Sequence, residues 1–245
     1  MQGFTLLQQS FRLIFGNLPQ SLRLSSPLLA VLVGALIIYG PSYFLEEFEP
    51  GNPNSPPASS LVFQLLTVIF TMWVAVAWHR FVLLEEYSNG VVPTFHGGRM
   101  LAYFGYGLLL GLVVGLATVV VAVLVGGALF WAPILAIAAA GIVAIAGCWA
   151  FYRLSPILPA CAIGNKMGMK EAWAATKPMS GSILGAMVIF VVSILALAFL
   201  GVLIGSIIPI LGGVLLLAFN WLYILLGISF LTTLYGVAVE GRTID

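Results

Sequence analysis

The chain has 245 residues, of which 62% are hydrophobic and only 7% are charged, with a formal net charge of +1. Soluble globular domains carry roughly 25% charged residues, so this composition, with a mean hydropathy of +1.15, excludes an ordinary soluble domain. We expect an all-α, polytopic membrane protein, a helical bundle that forms a single integral membrane domain over residues 1–245.

The chain opens on an amphipathic segment. Apolar residues recur there at spacings of three and four, with polar residues between them, as in a helix that lies in the membrane interface. The apolar positions are Phe4, Leu7, Phe11, Ile14, Phe15 and Leu18. We predict an interfacial helix at about residues 3–17, on the cytoplasmic surface.

Six apolar stretches follow, each long enough to cross a bilayer at about 20 residues per crossing. The predicted crossings cover about residues 28–45, 60–84, 101–125, 128–152, 182–204 and 214–239. A proline-rich loop with Glu46, Glu47 and Glu49 separates the first two crossings and carries no cation. The crossings pair into three helical hairpins, which resemble weak internal repeats.

With six crossings, every Lys and Arg falls on one side of the membrane. The nine residues are Arg12, Arg23, Arg80, Arg99, Arg153, Lys166, Lys170, Lys177 and Arg242. Cytoplasmic loops of inner-membrane proteins collect Lys and Arg. We therefore expect a multi-pass protein of the bacterial inner membrane with both termini in the cytoplasm.

Small residues recur every four positions on the third and fourth crossings, which allows helix backbones to approach closely. These helix-packing candidates are Gly107, Gly111 and Gly115 on the third crossing and Ala132, Ala136 and Ala140, continued by Ala144, on the fourth. We favour packing within the molecule over a dimer interface.

Several polar residues gather in the predicted cytoplasmic layer and are candidates for contact with an anionic lipid or a partner. They are His79, Arg80, Arg99, Arg153, Lys166, Lys170 and Lys177. Arg and Lys both bind phosphate oxygens. The alternative, which we favour, is that they only set the topology, with Arg80 or Arg153 paired to Glu85 or Glu86.

Polar residues inside the crossings form a second candidate group. Gln64, Thr67 and Thr71 share one face of the second crossing, and Asn220 lies deep in the sixth. They could line a solute path or simply join helices by hydrogen bonds. No Asp, Glu, Lys or Arg lies near the middle of a crossing, which argues against a proton-coupled or ion-driven carrier.

The sequence contains no recognisable catalytic or metal-binding motif. His79 and His96 do not show a metal-ligand spacing with Glu85 and Glu86, and there is no GxSxG nucleophile turn. Neither cysteine belongs to a CxxC pair, which favours packing roles for both. We expect no cofactor, no metal site and no enzymatic activity; a lipid-modifying enzyme using His79 and Glu85 has little support.

Three segments carry a resemblance to known proteins: FRLIFGNLPQSLRLSSP at 11–27, AWHRFVLLEE at 77–86, and YRLSPILPACAIGNKMGMKEAWAATKPMSG at 152–181. They resemble uncharacterised bacterial six-helix inner-membrane proteins of the YciC-like and glycerophosphodiester-phosphodiesterase membrane-domain type. The resemblance implies a fold and a location, with no reaction attached.

The functional hypothesis follows from these features. We expect a non-enzymatic accessory, assembly or scaffold component of a larger membrane complex, which binds membrane lipids and another membrane protein or a second copy of itself. We expect no nucleic-acid partner. The alternative is a transporter or channel for a small neutral or amphipathic solute or lipid, discriminated by solute flux in vesicles.

Overall fold

The structure is a computed structural model that describes residues 2–45, 57–88 and 90–243. All regular structure in these ranges is helical. The α-helices are α1 (Gln2–Gly16), α2 (Leu18–Leu24), α3 (Ser26–Tyr39), α4 (Ser42–Leu45), α5 (Ser60–Leu84), α6 (Gly97–Ala128), α7 (Pro133–Leu154), α8 (Ile157–Ile163), α9 (Met169–Ala175), α10 (Ser180–Ile207) and α11 (Pro209–Ala238). A 3₁₀ turn, Lys177–Met179, precedes α10.

The helices confirm an all-α protein with membrane-spanning character. Five helical stretches of the described chain are long and apolar enough to cross a membrane. They are Ser60–Leu84, Gly97–Ala128, Pro133–Ile163, Lys177–Ile207 and Pro209–Ala238. A sixth span exists if the bent pair Leu18–Leu24 and Ser26–Tyr39 crosses together.

α3 covers only part of the predicted first crossing at 28–45, because the helix ends at Tyr39. α3 has only 14 residues, about 21 Å of helix, while a bilayer core is about 30 Å thick. A bend of 67° separates α3 from α2. Gly40, at φ +71°, ends α3 directly before Pro41, which has no N–H to continue the helix. The acidic loop that follows, 46–56, lies outside the described residues.

The tightly packed core lies where the polar segments of the chain meet the apolar helices. Trp78 of α5, Ile157 of α8 and Leu225 of α11 are all nearly inaccessible in one cluster. We call residues 2–24, 74–99, 153–182 and 225–243 the charged end, because they contain all nine Lys and Arg. Beyond the charged end, α6, α7 and α10 expose large apolar side chains along most of their length, as helices surrounded by lipid do.

The first helix packs against the bundle as well as exposing an apolar face. Leu6 and Ile14 are fully buried, and α1 contacts α10 and α11. Ser10 Oγ lies 3.1 Å from Thr233 Oγ1 on α11. Of the other predicted apolar positions, Leu7 is buried, whereas Phe4, Phe11, Phe15 and Leu18 are exposed. α1 therefore has two apolar faces, one facing the protein and one facing outward.

The structure shows little close packing at the small-residue stripes predicted on the third and fourth crossings. A Cβ added at Gly111 or Gly115 would meet no described atom within 4 Å, and one at Gly107 would only touch Leu158. Ala132 and Ala136 are half-buried, whereas Ala140 and Ala144 are exposed. The physical reason is rotation: four residues turn an α-helix by about 400°, so a strict four-residue stripe drifts by about 40° per step away from a straight neighbour.

Other glycines make the close helix contacts. α6 and α7 approach at Gly147, where an added Cβ would lie 2.3 Å from Thr118 Oγ1. α10 and α11 approach at Gly212, where it would lie 2.2 Å from the Cα of Gly205. α3 also contacts α5. α6 and α7, and likewise α10 and α11, are therefore in close contact.

Candidate functional site: the charged end

His79 is fully buried and has both ring nitrogens engaged. Its Nδ1 lies 2.8 Å from Thr232 Oγ1, and its Nε2 lies 3.3 Å from the Tyr103 hydroxyl. Thr232 donates its own hydrogen to the carbonyl of Ile228, so its oxygen accepts from His79 Nδ1–H. A neutral His79 then accepts from Tyr103 at Nε2. His79 joins α5, α6 and α11 and has no nitrogen left for a lipid head group.

Arg80 lies in an ion-pair cluster. Its Nε and Nη2 donate to Glu86 Oε2 at 2.8 and 2.5 Å. His96 Nε2 lies 2.7 Å from the other carboxylate oxygen. Burial raises the pKa of the Glu86 carboxyl, but the hydrogen bonds and charges of Arg80 and His96 outweigh it, so the net pKa is lowered. The Arg80–Glu86 pairing weighed from the sequence is therefore present.

Arg153 is buried without a carboxylate. Only 4% of the residue is exposed, and no described ion pair includes it, so the pairing with Glu85 or Glu86 considered above does not occur. Its guanidinium carbon lies 3.8 Å from the ring centroid of Trp173 and 5.2 Å from that of Trp149. Its Nε donates to Thr176 Oγ1 at 3.3 Å. Two indole faces and polar oxygens stabilise this cation.

Three arginines share one structural task. The last four carbonyls of an α-helix have no partner within the helix, and an arginine from elsewhere can supply the missing donor. Arg80 Nη1 donates to the backbone carbonyl of Ala162 in α8 at 3.2 Å, and Arg153 Nη2 donates to that of Trp173 in α9. Arg242 donates to the backbone carbonyls of Val82 (3.2 Å) and Leu83 (3.3 Å) in α5. From the sequence Arg242 is expected only to set the topology, and its position just after the last helix is the signal for this additional role.

Four cations of the candidate set remain exposed, and we call them the exposed basic patch: Arg99, Lys166, Lys170 and Lys177. None of the ion pairs in the described chain includes them. The Arg99 guanidinium lies against Gly164, where an added Cβ would be 2.7 Å from Nη2. This contact brings the start of α6 to the segment that carries the three lysines.

The nearest acid to these lysines is already engaged. Glu171 Oε2 accepts the backbone N–H of Gly168 at 2.8 Å, which closes the first turn of α9. Trp173, 39% exposed, lies between Lys170 and Lys177 along the chain. The patch therefore combines uncompensated positive charge with an aromatic side chain.

The polar residues of the crossings have different neighbours in the structure. Thr67 donates to the carbonyl of Phe63 at 2.8 Å and lies 3.3 Å from the Tyr43 hydroxyl. Asn220 lines a cavity between α10 and α11 that Gln64, Thr67 and Thr71 do not line. The solute path considered from the sequence therefore stays a prediction.

In the described ranges, no group of three His, Cys, Asp or Glu side chains is placed so that it could hold a metal ion. Cys161 is buried, with its Sγ 3.1 Å from the carbonyl oxygen of Leu158, and Cys148 is exposed. What the charged end offers chemically is therefore a set of cations, and the four residues of the exposed basic patch belong to none of the ion pairs of the described chain. No protein-family model, curated protein or solved structure matches this chain.

Proposed function

We propose that this is a non-enzymatic, six-helix protein of the bacterial inner membrane, arranged as three hairpins with both termini in the cytoplasm. It acts as an accessory, assembly or scaffold component of a larger membrane complex, and the exposed basic patch binds anionic lipid head groups at the cytoplasmic face. Membership in the YciC-like group is part of the same proposal and rests on the three sequence segments quoted above.

One observation carries the lipid-binding proposal. Within the seven-residue candidate set, His79, Arg80 and Arg153 are engaged inside the protein, whereas the four residues of the exposed basic patch are not. A lipid phosphate supplies the counter-charge that the patch lacks. Each Lys or Arg near an anionic membrane surface contributes about 1 kcal/mol of attraction.

The position of the patch supports a lipid rather than a soluble anion. Trp173 belongs to the class of side chains that lie at head-group level, and the outward Phe4, Phe11 and Phe15 of α1 expose a second apolar surface at the same end of the molecule. Cations beside such surfaces are held where phosphates of the inner leaflet lie.

Native mass spectrometry tests this binding with two matched double variants. Lys170→Gln/Lys177→Gln removes two charges from the patch, and Arg12→Gln/Arg23→Gln removes two charges from α1 and α2. We expect the first pair to weaken binding of phosphatidylglycerol by about thirtyfold, from about 1 kcal/mol for each of the two charges, and the second to change it by less than about twofold. Equal loss in both variants would mean bulk attraction only, and no loss in the first would contradict the proposal.

The scaffold role has a separate test. Extraction in a mild polymer, followed by mass determination and mass spectrometry, should show a stoichiometric membrane-protein partner or a second copy of the chain. A monomer that copurifies with no protein under these conditions would refute the scaffold role and leave the lipid-binding proposal standing.

A further inference from the structure

A groove of about 520 Å³ lies on the surface of the bundle, between the start of α1 and the start of α10. Gly3 and Phe4 line it on the side of α1. On the side of α10 the lining residues are Pro178, Gly181, Ser182, Gly185 and Ile189, and none of them is charged. Pro178 directly follows Lys177 of the exposed basic patch, so the groove begins beside that patch.

Three glycines shape this groove. An added Cβ at Gly3 would lie 2.5 Å from the carbonyl oxygen of Ser182, so α1 and α10 touch there through their backbones. Gly181 and Gly185 lie about one turn apart on α10, and an added Cβ at either would meet no described atom within 4 Å. The groove therefore has a floor without side chains, and α1 forms a wall beside it.

The depth of the groove corresponds to one leaflet of a bilayer. Gly181 and Ile189 are eight residues apart in α10, which places them about 12 Å apart along the helix. The hydrocarbon of one leaflet is about 15 Å thick, half of a core of about 30 Å. Phe4 and Ile189 are exposed, and α10 belongs to the membrane-spanning stretch Lys177–Ile207. A lipid acyl chain has the length and the polarity to fill this space.

Charge at the entrance selects the kind of lipid. Lys177 is exposed and belongs to none of the ion pairs of the described chain. An anionic phospholipid carries its negative charge next to its acyl chains, as the groove has Lys177 next to its entrance. A zwitterionic phospholipid has the same chains but offers no net charge to the lysine. The volume of the groove lies within the range of about 300–1,000 Å³ that is typical of small-molecule sites.

We propose that this groove holds one acyl chain of an anionic phospholipid whose phosphate binds Lys177. The inference rests on the proposed binding of anionic head groups at the exposed basic patch and adds to it a defined seat for one lipid molecule. Head-group attraction alone leaves the acyl chains anywhere around the bundle, whereas the groove fixes where one of them lies.

Photolabelling in phosphatidylethanolamine–phosphatidylglycerol vesicles tests the groove with two matched probes. They are phosphatidylglycerol and phosphatidylcholine, each with a diazirine in the middle of one acyl chain. We call the peptides that contain Phe4 or Ile189 the groove peptides. We expect the phosphatidylglycerol probe to label them about fivefold more than the phosphatidylcholine probe does, as the attraction of one cation predicts. The peptide that contains Leu116, an exposed residue of α6, reports bulk lipid and should show no preference.

Four variants locate the lipid. Lys177→Gln should remove the preference between the two probes. Gly181→Leu and Gly185→Leu each place a side chain on the floor of the groove and should lower the label of the groove peptides to that of the Leu116 peptide with both probes. Gly115→Leu, which also meets open space but lies on α6, should keep the parent's pattern. Size-exclusion profiles establish that each variant is folded.

Several outcomes would overturn the proposal. They are equal labelling of the groove peptides by both probes in the parent, a preference that survives Lys177→Gln or both groove variants, and an equal loss in Gly115→Leu. Native mass spectrometry of Lys170→Gln/Lys177→Gln separates this failure from that of the proposed function. Weaker phosphatidylglycerol binding there, without a preference in the groove, removes the groove site and leaves head-group binding standing, whereas unchanged binding contradicts both.

Discussion

At the residue scale, polar side chains that are close in the sequence have different roles at the charged end. His79 and Arg80 are adjacent in sequence, yet one joins buried hydroxyl groups and the other holds a carboxylate. Arg153 is stabilised by two indole rings, while Lys170 and Lys177 are exposed. Burial and nearby donors or acceptors, rather than residue type, decide which cations remain available to a ligand.

Removing the charge of Glu86 should reveal the pH dependence of the Arg80–Glu86–His96 cluster. The pKa of Glu86 is lower in the folded protein, so its stabilising contribution is complete above the ordinary glutamate pKa of about 4.3 and is lost as the pH falls through the lowered value. We expect Glu86→Gln to lower the free energy of unfolding at pH 7 by about 1 kcal/mol.

The measurement is unfolding in detergent between pH 7 and pH 3. The parent protein should lose more stability over this range than Glu86→Gln, while Glu171→Gln, an acid outside the cluster, should retain the parent's dependence. Parallel curves for the parent and Glu86→Gln would refute the assignment.

The His79 network gives a second prediction at this scale. Thr232→Val keeps the shape of the side chain but removes the oxygen that accepts from His79 Nδ1–H, leaving a buried donor unpaired. We expect a loss of about 1–3 kcal/mol in the free energy of unfolding. Thr71→Val, a half-buried threonine of α5 outside this network, should cost clearly less; equal losses would argue against the network.

At the element scale, helix contacts depend on which face each helix turns to its neighbour. Gly205 and Gly212 bring α10 and α11 into backbone contact, whereas Gly147 of α7 lies against the side chain of Thr118 on α6. Gly111 and Gly115 point away from described neighbours and are open to lipid or a partner protein. Equal spacing in the sequence therefore has unequal consequences in packing.

Alanine substitutions distinguish these two classes of glycine. In Gly212→Ala the new Cβ would lie 2.2 Å from the Cα of Gly205, so α10 and α11 must separate. We expect a loss of about 1–3 kcal/mol in stability, as for other overpacked sites. Gly111→Ala meets open space and should be neutral or slightly stabilising. Thermal unfolding of both variants checks this, and equal effects would contradict the contact.

At the scale of the whole molecule, packing and charge are both concentrated at the charged end. In the most apolar 18-residue stretch of α6 only 6% of the residues are buried within the protein, and in that of Pro133–Ile163 0% are buried. In the corresponding stretch of α11 the share is 39%. α11 is therefore the central helix, and the other two present most of their surface to the bilayer. Any protein partner within the membrane has these surfaces available.

The proposed orientation predicts an asymmetric labelling pattern. In a background of Cys148→Ala and Cys161→Ala, Trp131→Cys between α6 and α7 should react with a membrane-impermeant maleimide in intact cells. Lys170→Cys should react only after the cells are opened, because cytoplasmic loops collect the cations. The reverse pattern would refute the proposed orientation with both termini in the cytoplasm.

Composition and apolar periodicity are enough to predict an all-helical chain with helices long and apolar enough to span a membrane, because helix length and hydropathy are local properties of the chain. The first helix differs from the predicted crossing at 28–45, since α3 begins at Ser26 and ends at Tyr39. Tertiary structure alone decided which arginines cap helices, which glycines touch, and that Asn220 lies in a cavity. These features depend on the rotation of each helix about its axis and on contacts such as Ser10 with Thr233, between residues far apart in the chain.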